Sequence, residues 1–292
     1  MKAQFDQNLL SSFYLWLENR LLKSDTKAYI TGLSNNFRYV DFDDIPSDMV
    51  GYQGEYRQLV AESNIDTVNS GFFVGDDFIT GDSSANGNVY TDYNNGRILF
   101  PAASGTGLSV SGDYSVKEVN TYISHDDDLD FLLHSDFIEN GQSSPYFYTK
   151  DSLASESAYF LPACFVSLAS SENQEFAFGG EEDTQSRVRV MVLTKDSYIL
   201  DSVISRFRDT VRERITHIPY EDFPYAYSFS VKDFPYNYDD TVSGQGSNAM
   251  ASHIERVTAS KVVSESLREK LNTDFSIGFV DFDLSTYRFP RA

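Results

Sequence analysis

The hydrophobic pattern opens on a helix. Over residues 3–23, Phe5, Leu9, Phe13, Trp16 or Leu17, and Leu21 recur at three- and four-residue steps, with Arg20 beside the last. That spacing lays a broad apolar face along one side of an amphipathic helix. Leu10, Tyr14 and Leu17 widen it beyond what a solvated helix needs, so the face packs onto the chain's own domain or onto a neighbouring subunit. After Ser24 and Asp25 the period shortens. Phe37, Tyr39, Val40 and Phe42 predict a strand ending at Asp43-Asp44-Ile45-Pro46, and residues 56–60 predict another. Residues 71–79 and 81–87 are rich in Gly, Asp, Ser and Asn and read as turns around short strands. Residues 89–93 lead into Asn94-Asn95-Gly96 and residues 97–100 lead out. Asn-Gly between such runs predicts a type I′ hairpin, because both residues tolerate positive φ. Residues 108–110 and 114–123, set off by Ser-Gly turns, extend the same antiparallel pattern.

The second half mixes periods. His125 and Asp126-Asp127-Asp128 precede the apolar run 129–133, where the aspartates suit the first turn of a short helix. Residues 140–157 turn polar, which places a domain boundary near 140. Residues 159–168 and 187–193 predict strands, the latter strongly. Ile199, Val203, Phe207, Val211 and Ile215 fall at four-residue steps and predict an amphipathic helix that Pro219 ends. Residues 219–247 form a long aromatic loop carrying Asp-Phe-Pro-Tyr at 222–225 and again at 233–236, too little to define a repeat. Residues 254–263 predict a strand, 265–271 a short helix, and 275–284 a final strand. The expected fold class is α+β. A β-rich N-terminal part, 1–140, combines antiparallel hairpins with the N-terminal amphipathic helix, and an α+β part, 141–292, packs helices on an antiparallel sheet.

Composition changes the picture in two ways. With 23 Phe and 19 Tyr in 292 residues there is ample material for a core and for protein interfaces. A formal charge of −21 repels phosphate backbones and anionic membranes, so no extensive nucleic-acid groove is expected. No apolar run reaches the length of a bilayer span, and the N-terminal segment lacks the apolar stretch and cleavage site of a signal peptide. Cys164, the single cysteine, sits in Leu-Pro-Ala-Cys-Phe-Val and reads as a buried, inert thiol.

Candidate chemistry is sparse. Asp126, Asp127, Asp128 and Asp130, between His125 and His134, form the best oxygen-rich metal candidate, but without the twelve-residue calcium-loop spacing. The expectation there is a solvated, helix-capping turn. The other two histidines, His217 and His253, complete no zinc spacing. Asp76-Asp77 offers adjacent carboxylates without a partner motif. Neither Gly71-Phe72-Phe73-Val74-Gly75 nor Ser104-Gly105-Thr106-Gly107 carries the Lys-Ser/Thr of a phosphate loop. The sequence therefore predicts no enzyme, with no catalytic, cofactor-binding or metal residues and no cofactor.

One stretch carries a resemblance. Asp92-Tyr93-Asn94-Asn95-Gly96-Arg97-Ile98-Leu99-Phe100, continuing through Ser104-Gly105 to Val110-Ser111-Gly112-Asp113-Tyr114-Ser115-Val116-Lys117-Glu118, resembles segments of virion structural proteins of contractile-tailed bacteriophages. The strand–helix–strand order after residue 187 is loosely similar to neck or tail-terminator folds. The resemblance covers about thirty residues of the 292 and transfers no site residue. It implies a non-enzymatic subunit of a homo-oligomeric ring at the head–tail joint, assembled in the host cytoplasm into the virion. Its neighbours would be connector, tail terminator, tube or sheath proteins. An acidic surface would let DNA pass without sticking, with passive contact only and no membrane. The N-terminal helix, the 220–247 segment, or both are the expected contacts with neighbours, with the Tyr-rich loops at 220–240 preferred. The alternative is a carbohydrate-binding β domain or glycan-active protein, which would need a coplanar aromatic platform beside convergent carboxylates.

Overall fold

A computed structural model of the chain describes residues 5–23, 27–41, 45–54, 56–63, 71–79, 89–124, 137–139, 159–176, 180–225, 236–261 and 275–289. Seven strands make the first sheet: β1 (Tyr29–Val40), β2 (Met49–Gln53), β3 (Phe72–Val74), β4 (Asp77–Ile79), β5 (Tyr90–Asp92), β6 (Arg97–Pro101) and β7 (Val110–Lys117). Their order is β4-β3-β7-β1-β2-β6-β5, antiparallel throughout. The second sheet holds β8 (Asn120–Ile123), β11 (Ala163–Glu175), β12 (Glu182–Thr194), β13 (Arg214–Thr216), β14 (Ala251–Lys261) and β15 (Ser276–Arg288), in the order β13-β14-β15-β12-β11-β8. Only the β8–β11 pair in it is parallel. β9 (Phe137–Glu139) and β10 (Tyr159–Leu161) form a small parallel ribbon. Three helices occur among the described residues: α1 (Phe5–Leu22), α2 (Ser197–Arg208) and α3 (Tyr238–Gly244).

This overturns the expected α+β class. Strands take 51% of the described chain and helices 21%, so the protein is two curled sheets with few helices. The physical reason lies in α1. It is not a layer with one wet face, because Leu9, Phe13, Tyr14, Leu15, Trp16, Leu17 and Leu21 are all buried, and so are Glu18 and Asn19. Apolar residues surround the helix on every side, and such a helix belongs inside a core. Phe13 meets Phe282 of β15 edge-on at 5.0 Å, and Trp16 meets the same ring at 5.8 Å. A single hydrophobic cluster runs from Phe37, Tyr114 and Val116 of the first sheet through α1 to Val190 and Phe282 of the second.

The second sheet alternates over the middle of its long strands, while at one end Met191, Leu193, Phe165 and Ile277 bury the other face too. Val188, Val190 and Val192 of β12 and Val280, Phe282 and Leu284 of β15 face inward, whereas Arg187, Arg189, Asp281 and Asp283 face out. α2 covers part of the inner face with Leu200, Val203, Ile204 and Phe207. It sits close because Gly278 lacks a side chain: a Cβ there would lie 2.5 Å from Ile204 Cδ1. The Asp196 side chain accepts the Tyr198 N–H and starts this helix. The helical periodicity through residue 215 is cut short. α2 stops at Arg208, the Thr210 hydroxyl donates to the Phe207 carbonyl at 2.7 Å, and Ile215 enters β13.

Two local expectations also change. Asp92 pairs with Arg97, so β5 and β6 are joined by four residues rather than by a two-residue type I′ turn. The Asp92 carboxylate accepts the Asn95 N–H at 3.1 Å and Arg97 Nε at 2.8 Å, which supports the wider loop, and only Gly96 takes positive φ, at 63°. Residues 56–60 form no strand, although Leu59 makes an isolated bridge to Val116. The chain passes from the first sheet to the second at Glu118 and Val119. The boundary expected near 140 and the helices expected near 129–133 and 265–271 lie outside the described residues.

Candidate functional site

Where α1 crosses β7, polar side chains meet inside the core. Glu18 of α1 is buried and ion-pairs with Lys117 of β7, which is equally buried. Glu18 Oε1 also accepts the Thr121 hydroxyl at 2.6 Å, and Oε2 accepts the Tyr225 hydroxyl at 2.8 Å. Burial alone would raise the Glu18 carboxyl, but the Lys117 ammonium and the hydroxyls around it outweigh that and hold it below the ordinary range. Tyr14, Tyr225 and Tyr236 are pushed far upward, by burial first and then by the Glu18 charge, so they stay protonated as donors. Gln58 closes the knot by accepting the Thr121 N–H at 2.8 Å and donating to the Thr121 carbonyl at 2.7 Å. A carboxylate with these partners is neutralised and shielded. It fastens helix to sheet and has no proton to exchange at neutral pH.

A serine–histidine contact exists elsewhere. His217 Nε2 lies 2.7 Å from Ser252 Oγ, which in turn lies 2.6 Å from the Thr286 hydroxyl. Burial, then the nearby Arg288 charge, pushes the imidazole down to about 4, so it is neutral. Phe5 stacks on this ring at 5.4 Å and Arg288 sits 4.0 Å over Phe5. Ser252 is fully buried beneath that cover, so a substrate has no approach to its hydroxyl. The contact anchors the start of α1 to β14.

The accessible polar site is on the outer face of the second sheet. Arg187 Nε donates to Asp283 Oδ1 at 2.8 Å, and Arg256 Nε donates to Oδ2 at 2.7 Å. One strand-step away, Arg189 grips Asp281 through two bonds of 2.7 and 3.1 Å, while its guanidinium lies 5.3 Å from the Phe279 ring centre. Burial would raise the Asp283 carboxyl, but the two arginines prevail and hold it low. Glu172, Gln185 and Glu255 join Arg187, Arg256 and Asp283 around a hollow of about 400 Å³. The hollow is a mixed-charge surface whose arginines are already paired, so it suits polar protein contacts better than capture of a free ion.

The structure distributes the sequence candidates widely. Residues 125–134, with the acidic cluster and its two histidines, lie outside the described residues. Asp76 and Asp77 stand exposed at the turn of the β3–β4 hairpin. Cys164 is fully buried on β11, its thiol pushed up to about 12 by burial. Among the described residues no three His, Cys, Asp or Glu side chains gather as a metal site would require. The two segments expected to hold neighbours are turned inward where described: α1 lies in the core, and Tyr225, Tyr236 and Tyr238 are buried against it. Sequence reasoning missed Glu18, Lys117 and Glu62. Their one signal was Glu18, a carboxylate between Leu17 and Leu21, legible once that stretch of α1 is known to be buried. Among the described residues no helix is long and apolar enough to cross a membrane. No protein-family model matches the chain, and no curated protein is similar enough to count as a relative.

Proposed function

We propose that this chain is a non-enzymatic structural subunit of a tailed-phage virion, one of several copies in a ring at the head–tail joint. The observation that carries the reading is which aromatic residues stay outside when most of the others among the described residues are buried. Phe73 and Phe78 stand exposed on the β3–β4 hairpin with ring centres 5.1 Å apart. Phe176, Tyr287 and Phe289 stand exposed at the ends of β11 and β15, with Phe176 and Tyr287 at 4.6 Å. Exposed aromatic clusters at the extremities of a fastened two-sheet body are the composition that protein interfaces favour. The sugar-binding alternative calls for coplanar rings, whereas these pairs are tilted by 60° and 52°. The charge of −21 suits a subunit beside passing DNA, which it repels.

Virions of the phage that encodes this chain test the reading directly. Quantitative mass spectrometry is expected to find the chain in purified particles at a fixed, low copy number, and antibody-gold is expected to mark the head–tail joint. A chain abundant in infected cells but absent from purified particles would overturn it.

A further inference from the structure

The second strand from each edge of the second sheet, β11 and β14, outruns the short edge strand beside it. β8 covers β11 only from Ala163 to Val166, where the Ser124 N–H closes the ladder on the Val166 carbonyl at 2.9 Å. β13 covers β14 only from Ala251 to His253, and bonds of 2.8 and 3.0 Å at Ile254 complete that ladder. Beyond these points each strand bulges, between Leu168 and Ser170 in β11 and between Ile254 and Arg256 in β14. Each then resumes a regular register with its inner neighbour for six residues, 170–175 against β12 and 256–261 against β15. No strand among the described residues pairs with the outer edge of either stretch. Neither contains proline, and a six-residue stretch unpaired among the described residues presents about 20 Å of ladder.

We propose that these two edges pair with each other between copies of this chain. The 256–261 edge of one subunit adds to the 170–175 edge of the next, and the sheet continues head to tail. The inference rests on the ring reading and supplies its contact. Strand polarity permits it: three antiparallel steps lead from β11 to β14, so a neighbour related by rotation presents the two edges antiparallel to each other. Side-chain faces agree as well. Ser170 pairs with Arg187, Glu172 with Gln185, and Arg256 with Asp283, which puts Ser170, Glu172 and Arg256 on the outer face. That face matches when Arg256 stands opposite Gln174, Thr258 opposite Glu172 and Ser260 opposite Ser170.

Charge is compatible with the same pairing. In that register Arg256 lies one diagonal step from Glu172 on the outer face, while within its own subunit Arg256 bonds Asp283 and Lys261 pairs with Asp201. Pairing either stretch with itself brings no such pair of opposite signs together. Charged edges and bulges normally refuse partners. Here the bulges precede the stretches left unpaired among the described residues. A heterologous contact of this kind closes into a ring when its rotation closes.

The test uses the full chain with single cysteines, Ser170→Cys in one preparation and Ser260→Cys in another. Cys164 stays silent because it is fully buried. A short bismaleimide tolerates a register slip of two residues. The mixture is expected to yield cross-linked dimers, and a chain carrying both cysteines is expected to yield a ladder of multimers, with little product from either single variant alone. Native mass measurement of the unmodified chain runs in parallel. Closed oligomers without the 170–260 cross-link would overturn this inference and leave the ring reading standing. Cross-linked open filaments would do the reverse. A 170–170 or 260–260 product would replace the head-to-tail contact with a two-fold one and overturn the inference, and a monomer at every concentration would end both.

Discussion

At Glu62 the carboxyl accepts the Asn19 side-chain amide at 2.5 Å and faces the negative charges of Glu18 and Asp239. Burial, and then those like charges, raise it to about 7 although the amide bond pulls the other way. The unfolded chain releases this proton near the ordinary value of about 4.3. Folding therefore takes up a proton between those values, and stability falls as pH rises from about 4.3 to 7 before levelling. His217 works in the opposite sense: its imidazole is pushed down to about 4, so its contribution is lost as pH falls from about 6.5 toward 4. Glu62→Gln keeps an acceptor for Asn19 and removes the charge. Urea unfolding is expected to show Glu62→Gln more stable than the parent by on the order of 3–4 kcal/mol at about pH 8 and by only about 1 kcal/mol at about pH 5. Comparing the two chains cancels His217. An equal effect at both pH values would contradict the assignment.

At the scale of elements, the link between α1 and β7 is a buried ion pair whose stability depends on both partners. Lys117→Met leaves the Glu18 carboxylate in the core with only hydroxyls around it, and the expected loss is about 3–5 kcal/mol. The double variant Glu18→Gln/Lys117→Met removes both charges and should recover most of that loss in the same urea measurement. A single-variant cost below about 1 kcal/mol would mean that the pair does not fasten helix to sheet. The same elements show what the sequence could disclose. The alternation in 187–193 and 275–284 located β12 and β15, because strands with one wet face betray their period. α1 was legible as a helix but not as a buried one. Its three- and four-residue steps say which residues share a side and not whether the other side is covered. The α+β expectation followed from that gap, and so did the assignment of α1 to a neighbour. The four-residue β5–β6 loop was hidden because the Asp92–Arg97 pair and its bond to Asn95 override the preference of Asn-Gly for a tighter turn.

At the scale of the whole molecule, the proposed ring would use the exposed aromatic pairs and the sheet edges left unpaired among the described residues. The charge of −21 makes copies repel one another, and salt shortens the reach of that repulsion to about 8 Å at physiological strength. Assembly should therefore strengthen as salt rises from low to moderate, opposite to what an interface held together by ion pairs alone would do. Edge-to-edge backbone bonds and aromatic contacts survive screening. The most direct measurement is native mass and symmetry of the purified chain across protein concentration and salt, read by analytical ultracentrifugation and by class averages of single particles. The account predicts one closed cyclic oligomer of discrete mass, whose share grows with concentration and with moderate salt. A monomer at every salt and concentration, in the test tube and in purified virions alike, would contradict it.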